Sequence, residues 1–334
     1  MDSSSVVHWQ RSRTDEAPPL QALQLLTLYL TERCNSRCAS CDYWRSGGRD
    51  ISLATVQGLL PELHALHVRQ VLISGGEPLL HPQWAEIAAL LRAQGLQTWL
   101  LTAGLALAKH AQQAARLFDA ITVSLDAADA QRYAGIRGVN AFEAVCAGVR
   151  AVAAAGRPAG LRVTVQRGNC GELPALVKLA HQLGAASISF LAADVGHGEA
   201  FGRGGESAAP EIALREQDLP LLEDSLTTLE REHAADFESG FIQEPWQKLR
   251  RLPAYSRALL GLGEFPAVRC NAPEHSAVIE ADGRLRPCFF IAGSGEPAGL
   301  EDALNSLVMR RLRADIQAGA RPECQACVCS KWFP

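Results

Sequence analysis

From Leu23 to about Asp194 the chain repeats one pattern, a short apolar run, a break, and then an amphipathic segment. Residues 25–30, 71–73, 98–101, 120–125, 161–165 and 187–191 read as strands, and stretches near 56–66, 84–93, 141–155 and 173–183 as helices. Gly95, Gly156 and Gly184 stand where a left-handed residue ends a helix. Strands alternating with helices pair in parallel through right-handed crossovers. Six such units form either an open doubly wound α/β sheet or a partial (β/α)6 barrel. In both, chemistry belongs on the loops after the strand C-termini.

Those loops carry the chemically distinctive residues. Cys34-x3-Cys38-x2-Cys41 follows the first strand and Ser74-Gly75-Gly76-Glu77-Pro78 the second. Thr102-Ala103-Gly104 follows the third strand, Asp126 the fourth, and Gln166 to Asn169 the fifth. The chain has ten cysteines, yet its polar start carries no signal-peptide core. No apolar run approaches the ~20 residues of a membrane span. The 32 basic and 36 acidic residues leave a net charge of −4, which favours neither a nucleic-acid nor a membrane surface. A cytoplasmic location is the expectation. In a reducing compartment, metal or redox chemistry is a better reading of the cysteines than a disulfide framework.

Three cysteines within eight residues can converge on one centre. Structural zinc takes four ligands, and no fourth lies nearby. An iron–sulfur cubane on three cysteines leaves one iron open. With Gly75-Gly76-Glu77-Pro78 and Ser124-Leu125-Asp126 downstream, residues 23–191 resemble the radical S-adenosylmethionine (SAM) superfamily. The resemblance implies a radical SAM-type barrel and a 4Fe-4S cluster on Cys34, Cys38 and Cys41 that chelates the SAM amino and carboxylate groups. It implies Gly75, Gly76, Glu77 and Pro78 at the SAM ammonium, and Ser124, Asp126 and Arg137 at its carboxylate or ribose. It also implies reductive cleavage of SAM to a 5′-deoxyadenosyl radical, fed by an electron donor such as a flavodoxin or ferredoxin. Two positions depart from the family pattern: Ser40 replaces an aromatic residue, and Ala103 replaces an asparagine. Tyr43 and Trp44 are candidates for the missing adenine packing.

Cys270 and Cys288 flank an expected hairpin: a strand at 277–280, a turn at Asp282-Gly283 and a strand at 285–290. Cys324-x2-Cys327-x-Cys329 follows. Spacing alone also admits a zinc ribbon. The arrangement resembles the twitch, or truncated SPASM, appendage of some radical SAM enzymes. That implies one auxiliary 4Fe-4S cluster on Cys270, Cys288, Cys324 and Cys327, with Cys329 spare or replacing Cys327. Cys146 and Cys170 read as packing residues.

The expected organisation is a short N-terminal segment (1–21), a radical SAM core (22–194), a segment over the barrel mouth (195–266) and a Cys-rich hairpin and helix appendage (267–334). His197, Arg203, Glu244 and Trp246 are candidate substrate contacts. A filled auxiliary cluster favours net oxidation of a small natural-product or sugar-like molecule. A peptide maturase is the alternative, weakened by the roughly twenty residues ahead of the first strand, too few to fold into a leader-binding domain. A non-catalytic iron–sulfur carrier is the rival of another class, and the SAM-type glycines argue against it.

Overall fold

On the strands of the barrel, alternate side chains turn outward and pack under helices, as period-two geometry requires. Val71 and Ile73, Ile121 and Val123, and Leu161, Val163 and Val165 are buried this way. In the computed structural model, which describes residues 16–206, 210–293 and 299–333, the six expected strands all form. They are β1 (Leu25–Thr31), β2 (Gln70–Gly75), β3 (Gln97–Thr102), β4 (Ala120–Ser124), β5 (Gly160–Val165) and β6 (Ser187–Ala192). They pair in parallel in chain order. Most of the N-terminal segment, through residue 15, lies outside the described residues.

The helices are α1 (Tyr43–Ser46), α2 (Leu53–Ala65), α3 (Trp84–Ala93), α4 (Leu107–Leu117), α5 (Ala130–Arg137), α6 (Phe142–Ala154), α7 (Leu173–Gln182) and α8 (Leu219–Glu232). Ser52 and Asp129 cap α2 and α5 through their side chains. Gly95, Gly156 and Gly184 adopt positive φ, as expected of helix-ending residues. Within the segment expected over the barrel mouth, α8 instead packs on α7, where Ser225 Oγ accepts the Leu173 N–H. The chain at 241–243 then bonds along Ile188 and covers the open edge of β6.

The C-terminal hairpin extends the barrel sheet. β7 (Ser276–Ile279) pairs in parallel with β1, and β8 (Leu285–Arg286) pairs antiparallel with β7. The sheet order is β6-β5-β4-β3-β2-β1-β7-β8. β1 is therefore flanked on both sides and buried at all seven positions. The second hairpin strand is shorter than the expected 285–290. Pro287 has no N–H to continue the ladder. Among the described residues, no helix is long and apolar enough to cross a membrane.

Candidate active site: two cysteine centres

Beyond β1, the loop bearing Cys34, Cys38 and Cys41 is clamped from two directions. On one side the Gly76 and Glu77 N–H groups each donate over 2.7 Å, to the Thr31 and Arg33 carbonyls. A Cβ on Gly75, whose φ is +126°, would lie 2.5 Å from the Thr31 oxygen, and one on Gly76 2.3 Å from that of Arg33. Only glycine permits that approach, so the glycine pair seats the cysteine loop. On the other side Arg37 N–H donates to the Arg137 carbonyl at 2.9 Å. Gly138, at φ +67°, ends α5 against the Arg37 backbone.

Cys38 is buried, and Cys34 and Cys41 are half-buried. Ser36 N–H points at Cys34 Sγ, 3.4 Å away. Burial pushes the Cys34 thiol up to about 11 and the Cys41 thiol to about 12, and raises Cys38 as well. Converting three such thiols to thiolates needs a compensating cation, which metal ligation supplies.

Glu77 is fully buried. Its carboxylate accepts from Leu79 N–H (3.1 Å), Thr102 Oγ1 (2.7 Å) and Ala103 N–H (2.6 Å). It ties the turn that begins at buried Pro78 to the end of β3, and burial raises its pKa. Asp126 accepts from Arg137 Nη1 at 2.9 Å and from Thr164 N–H at 2.7 Å. Asn169 Nδ2 donates to the Asp126 carbonyl and holds that loop to β5. Arg137 is buried beside the cysteines, and its Nε has no hydrogen-bond partner. Ser124 is half-buried at the end of β4. Trp44 Nε1 donates to the Cys38 carbonyl, and Tyr43 packs edge-on against Tyr29.

At the other centre, Cys270, Cys288, Cys324, Cys327 and Cys329 line one cavity of about 70 Å³ beside Leu25 and Thr27 of β1. Ala272 N–H points at Cys270 Sγ (3.4 Å), and Cys329 N–H at Cys327 Sγ (3.3 Å). Both repeat the Cys34–Ser36 arrangement two residues apart. Burial raises Cys288, Cys327 and Cys329, and takes Cys324 up to about 11. Cys329 also lies in the fields of Lys248, Lys331 and Arg162. Among the described residues, no three His, Cys, Asp or Glu side chains meet around a single ion. Cys146 and Cys170 lie in the hydrophobic core.

The four candidate substrate contacts all make internal contacts. His197 and Arg203 are buried against Asp194. Glu244 accepts the Phe190 N–H at 2.8 Å, and Trp246 packs edge-on against Phe237. Sequence reasoning missed Glu280 and Arg286, which pair at 3.0 Å inside the hairpin. Opposite charges on two facing strands were the available signal.

The Radical SAM superfamily model matches residues 28–179, and the SPASM iron–sulfur cluster-binding domain matches residues 270–328. The chain thus carries a radical SAM domain and, C-terminal to it, a SPASM iron–sulfur domain. The two domains imply a SAM-binding 4Fe-4S cluster and an auxiliary cluster, and the two donor sets described above fit those groups.

A PqqA peptide cyclase of Methylobacterium sp. (strain 4-46) is 34% identical over 57% of this chain and 50% of its own. The mycofactocin maturase MftC of Mycobacterium ulcerans (strain Agy99) is 28% identical over 94% of this chain and 85% of its own. The match thus spans about half the length of the cyclase. Streptococcus suis SuiB bound to precursor peptide SuiA superposes with a TM-score of 0.66 at 15% identity, covering 87% of this chain and 66% of that one. Native anSMEcpe with bound AdoMet and Cp18Cys peptide gives 0.62 at 17%, covering 93% and 86%. At such identities these likenesses show the fold.

Proposed function

We propose that this chain is a radical SAM enzyme that modifies a peptide, with net oxidation assisted by the auxiliary centre. The observation that carries this reading is the likeness to a mycofactocin maturase across 94% of the chain, beside PqqA peptide cyclases that match over half of it. It moves the peptide reading ahead of the small-molecule one.

When bound, the cluster and SAM supply a 5′-deoxyadenosyl radical able to take hydrogen from an unactivated carbon. The chain's own residues bind and position. Cys34, Cys38 and Cys41 hold the SAM-site cluster. Gly75 and Gly76 fix the loop, with Glu77 and Pro78 holding the turn behind it. Arg137, kept in place by Asp126, offers its unpartnered Nε–H to the SAM carboxylate, and Ser124, at the end of β4, is a further candidate contact. Cys270, Cys288, Cys324 and Cys327 hold the auxiliary cluster. Cys327 is preferred to Cys329 because it receives the same N–H···S contact as Cys34 and Cys270. All ten cysteines are free thiols, which supports a reducing, cytoplasmic setting with a flavodoxin- or ferredoxin-type donor.

The test is anaerobic reconstitution with iron and sulfide, then incubation with SAM, dithionite and peptides encoded beside the gene. The expected result is 5′-deoxyadenosine together with a peptide that has lost two hydrogens. 5′-Deoxyadenosine formed only with a small metabolite, with every peptide unchanged, would overturn the peptide reading. Loaded clusters with no SAM cleavage would favour a carrier.

A further inference from the structure

Residues 194–203 run between the two cysteine centres and bond to both. Arg203 Nη2 donates to the Ser40 carbonyl, next to Cys41, at 3.1 Å. Its Nη1 donates to Asp194 Oδ2 at 2.6 Å. Asp194 Oδ1 meets His197 Nδ1 at 2.5 Å, and His197 Nε2 meets the Glu323 carbonyl, next to Cys324, at 2.8 Å. A carboxylate oxygen and a carbonyl oxygen are both acceptors, and a doubly protonated imidazole would satisfy both. Asp194, His197 and Arg203 are 4%, 7% and 5% exposed, so each bond is shielded from water.

A second path runs alongside. Tyr43 Oη donates to Glu280 Oε1, which also accepts from Arg286 Nη1. Arg286 donates in turn to the Phe289 and Ile291 carbonyls, which follow Cys288. The intervening loop adds Phe201, whose carbonyl accepts the Asp42 N–H and whose φ is +54°. A non-glycine residue held there is strained, and the surrounding contacts must hold it in place.

We propose that Asp194, with His197 and Arg203, is a buried strut that ties the SAM-site cysteine loop to the auxiliary cysteine segment, so that loading of the two centres is energetically coupled. These are positioning residues. The inference rests on reading the two cysteine sets as cluster sites. A link of this kind is reciprocal: filling either centre steadies the other.

The test is a double-mutant cycle on the anaerobically loaded full chain, following iron release from the auxiliary centre to a chelator. Replacing Cys34, Cys38 and Cys41 by Ala should speed that release about five- to tenfold when Asp194 is present. In an Asp194→Asn background the same replacement should change it less than about twofold. Equal acceleration in both backgrounds, or none in the first, overturns the strut. Asp194→Asn leaves buried charges unpaired, so His197→Gln provides the milder variant. In His197→Gln, amide exchange of the loaded chain should quicken at both 40–42 and 324–327 and stay unchanged in α8. A response at one end only also overturns it. A wild-type chain holding about four irons instead of about eight would instead refute the auxiliary-cluster reading, and the exchange measurement would still decide the strut.

Discussion

Cys34, Cys38 and Cys41 sit in one loop whose shape is set by backbone contacts within the barrel rim, whereas Cys270, Cys288 and the Cys324–Cys329 run come from three separate segments and meet around a cavity. The first centre depends on a glycine pair and a buried carboxylate that zip the ends of β1, β2 and β3 together. The second depends on a short hairpin docked on β1 and on a C-terminal tail folding back over it. Asn271 exchanges hydrogen bonds with Phe333 to hold that tail. A compact loop tolerates change elsewhere but not backbone crowding. A dispersed set tolerates local crowding but not loss of long-range docking.

The largest expected effect separates the two directly. Replacing Cys38 by Ala should reduce SAM cleavage to background and lower iron from about eight to about four per chain, with the auxiliary spectroscopic signal retained. Loss of both signals would show that the centres are not separable. Within the second centre, Cys327→Ser should remove the auxiliary iron while Cys329→Ser keeps it, as read by iron content and Mössbauer spectra. The reverse pattern would exchange their roles.

Gly76→Ala tests the zipped loop. Its new Cβ would meet the Arg33 carbonyl at 2.3 Å, which should cost about 1–3 kcal/mol and weaken iron loading at the SAM site alone. Glu77→Gln keeps the shape but loses one acceptor oxygen. Urea unfolding should show a loss of about 1–3 kcal/mol, and an unchanged midpoint would deny Glu77 its positioning role.

The smallest effect belongs to a carboxylate far from both centres. Asp119 accepts from Thr98 N–H (2.8 Å) and Arg92 (2.7 Å). Burial works to raise its pKa, but these donors hold it below the ordinary carboxylate value. Its contribution is therefore present above the unfolded value of about 4 and lost as pH falls through the lower folded one. Asp119→Asn should flatten the fall in thermal midpoint below about pH 4 and leave iron content unchanged.

Local pattern made the barrel legible. Apolar runs of period two, glycines past helix ends and a cysteine triplet on a strand exit are short-range features, and the structure keeps each of them. Glu77 was visible as a motif residue, but its partners Thr102 and Ala103 were not, because they stand at the end of another strand. His197 and Arg203 read in sequence as candidate substrate contacts on a loop. Their partners, Ser40 and Glu323, lie more than a hundred residues away along the chain.

The sequence by itself determined that three cysteines follow a buried strand and that a second cysteine set closes the chain, since ligand spacing within a loop is a covalent fact. Only the tertiary structure decided that β7 docks on β1 and that the two centres share a buried strut. Those depend on hydrogen bonds and burial between segments distant in the chain, which no local spacing encodes.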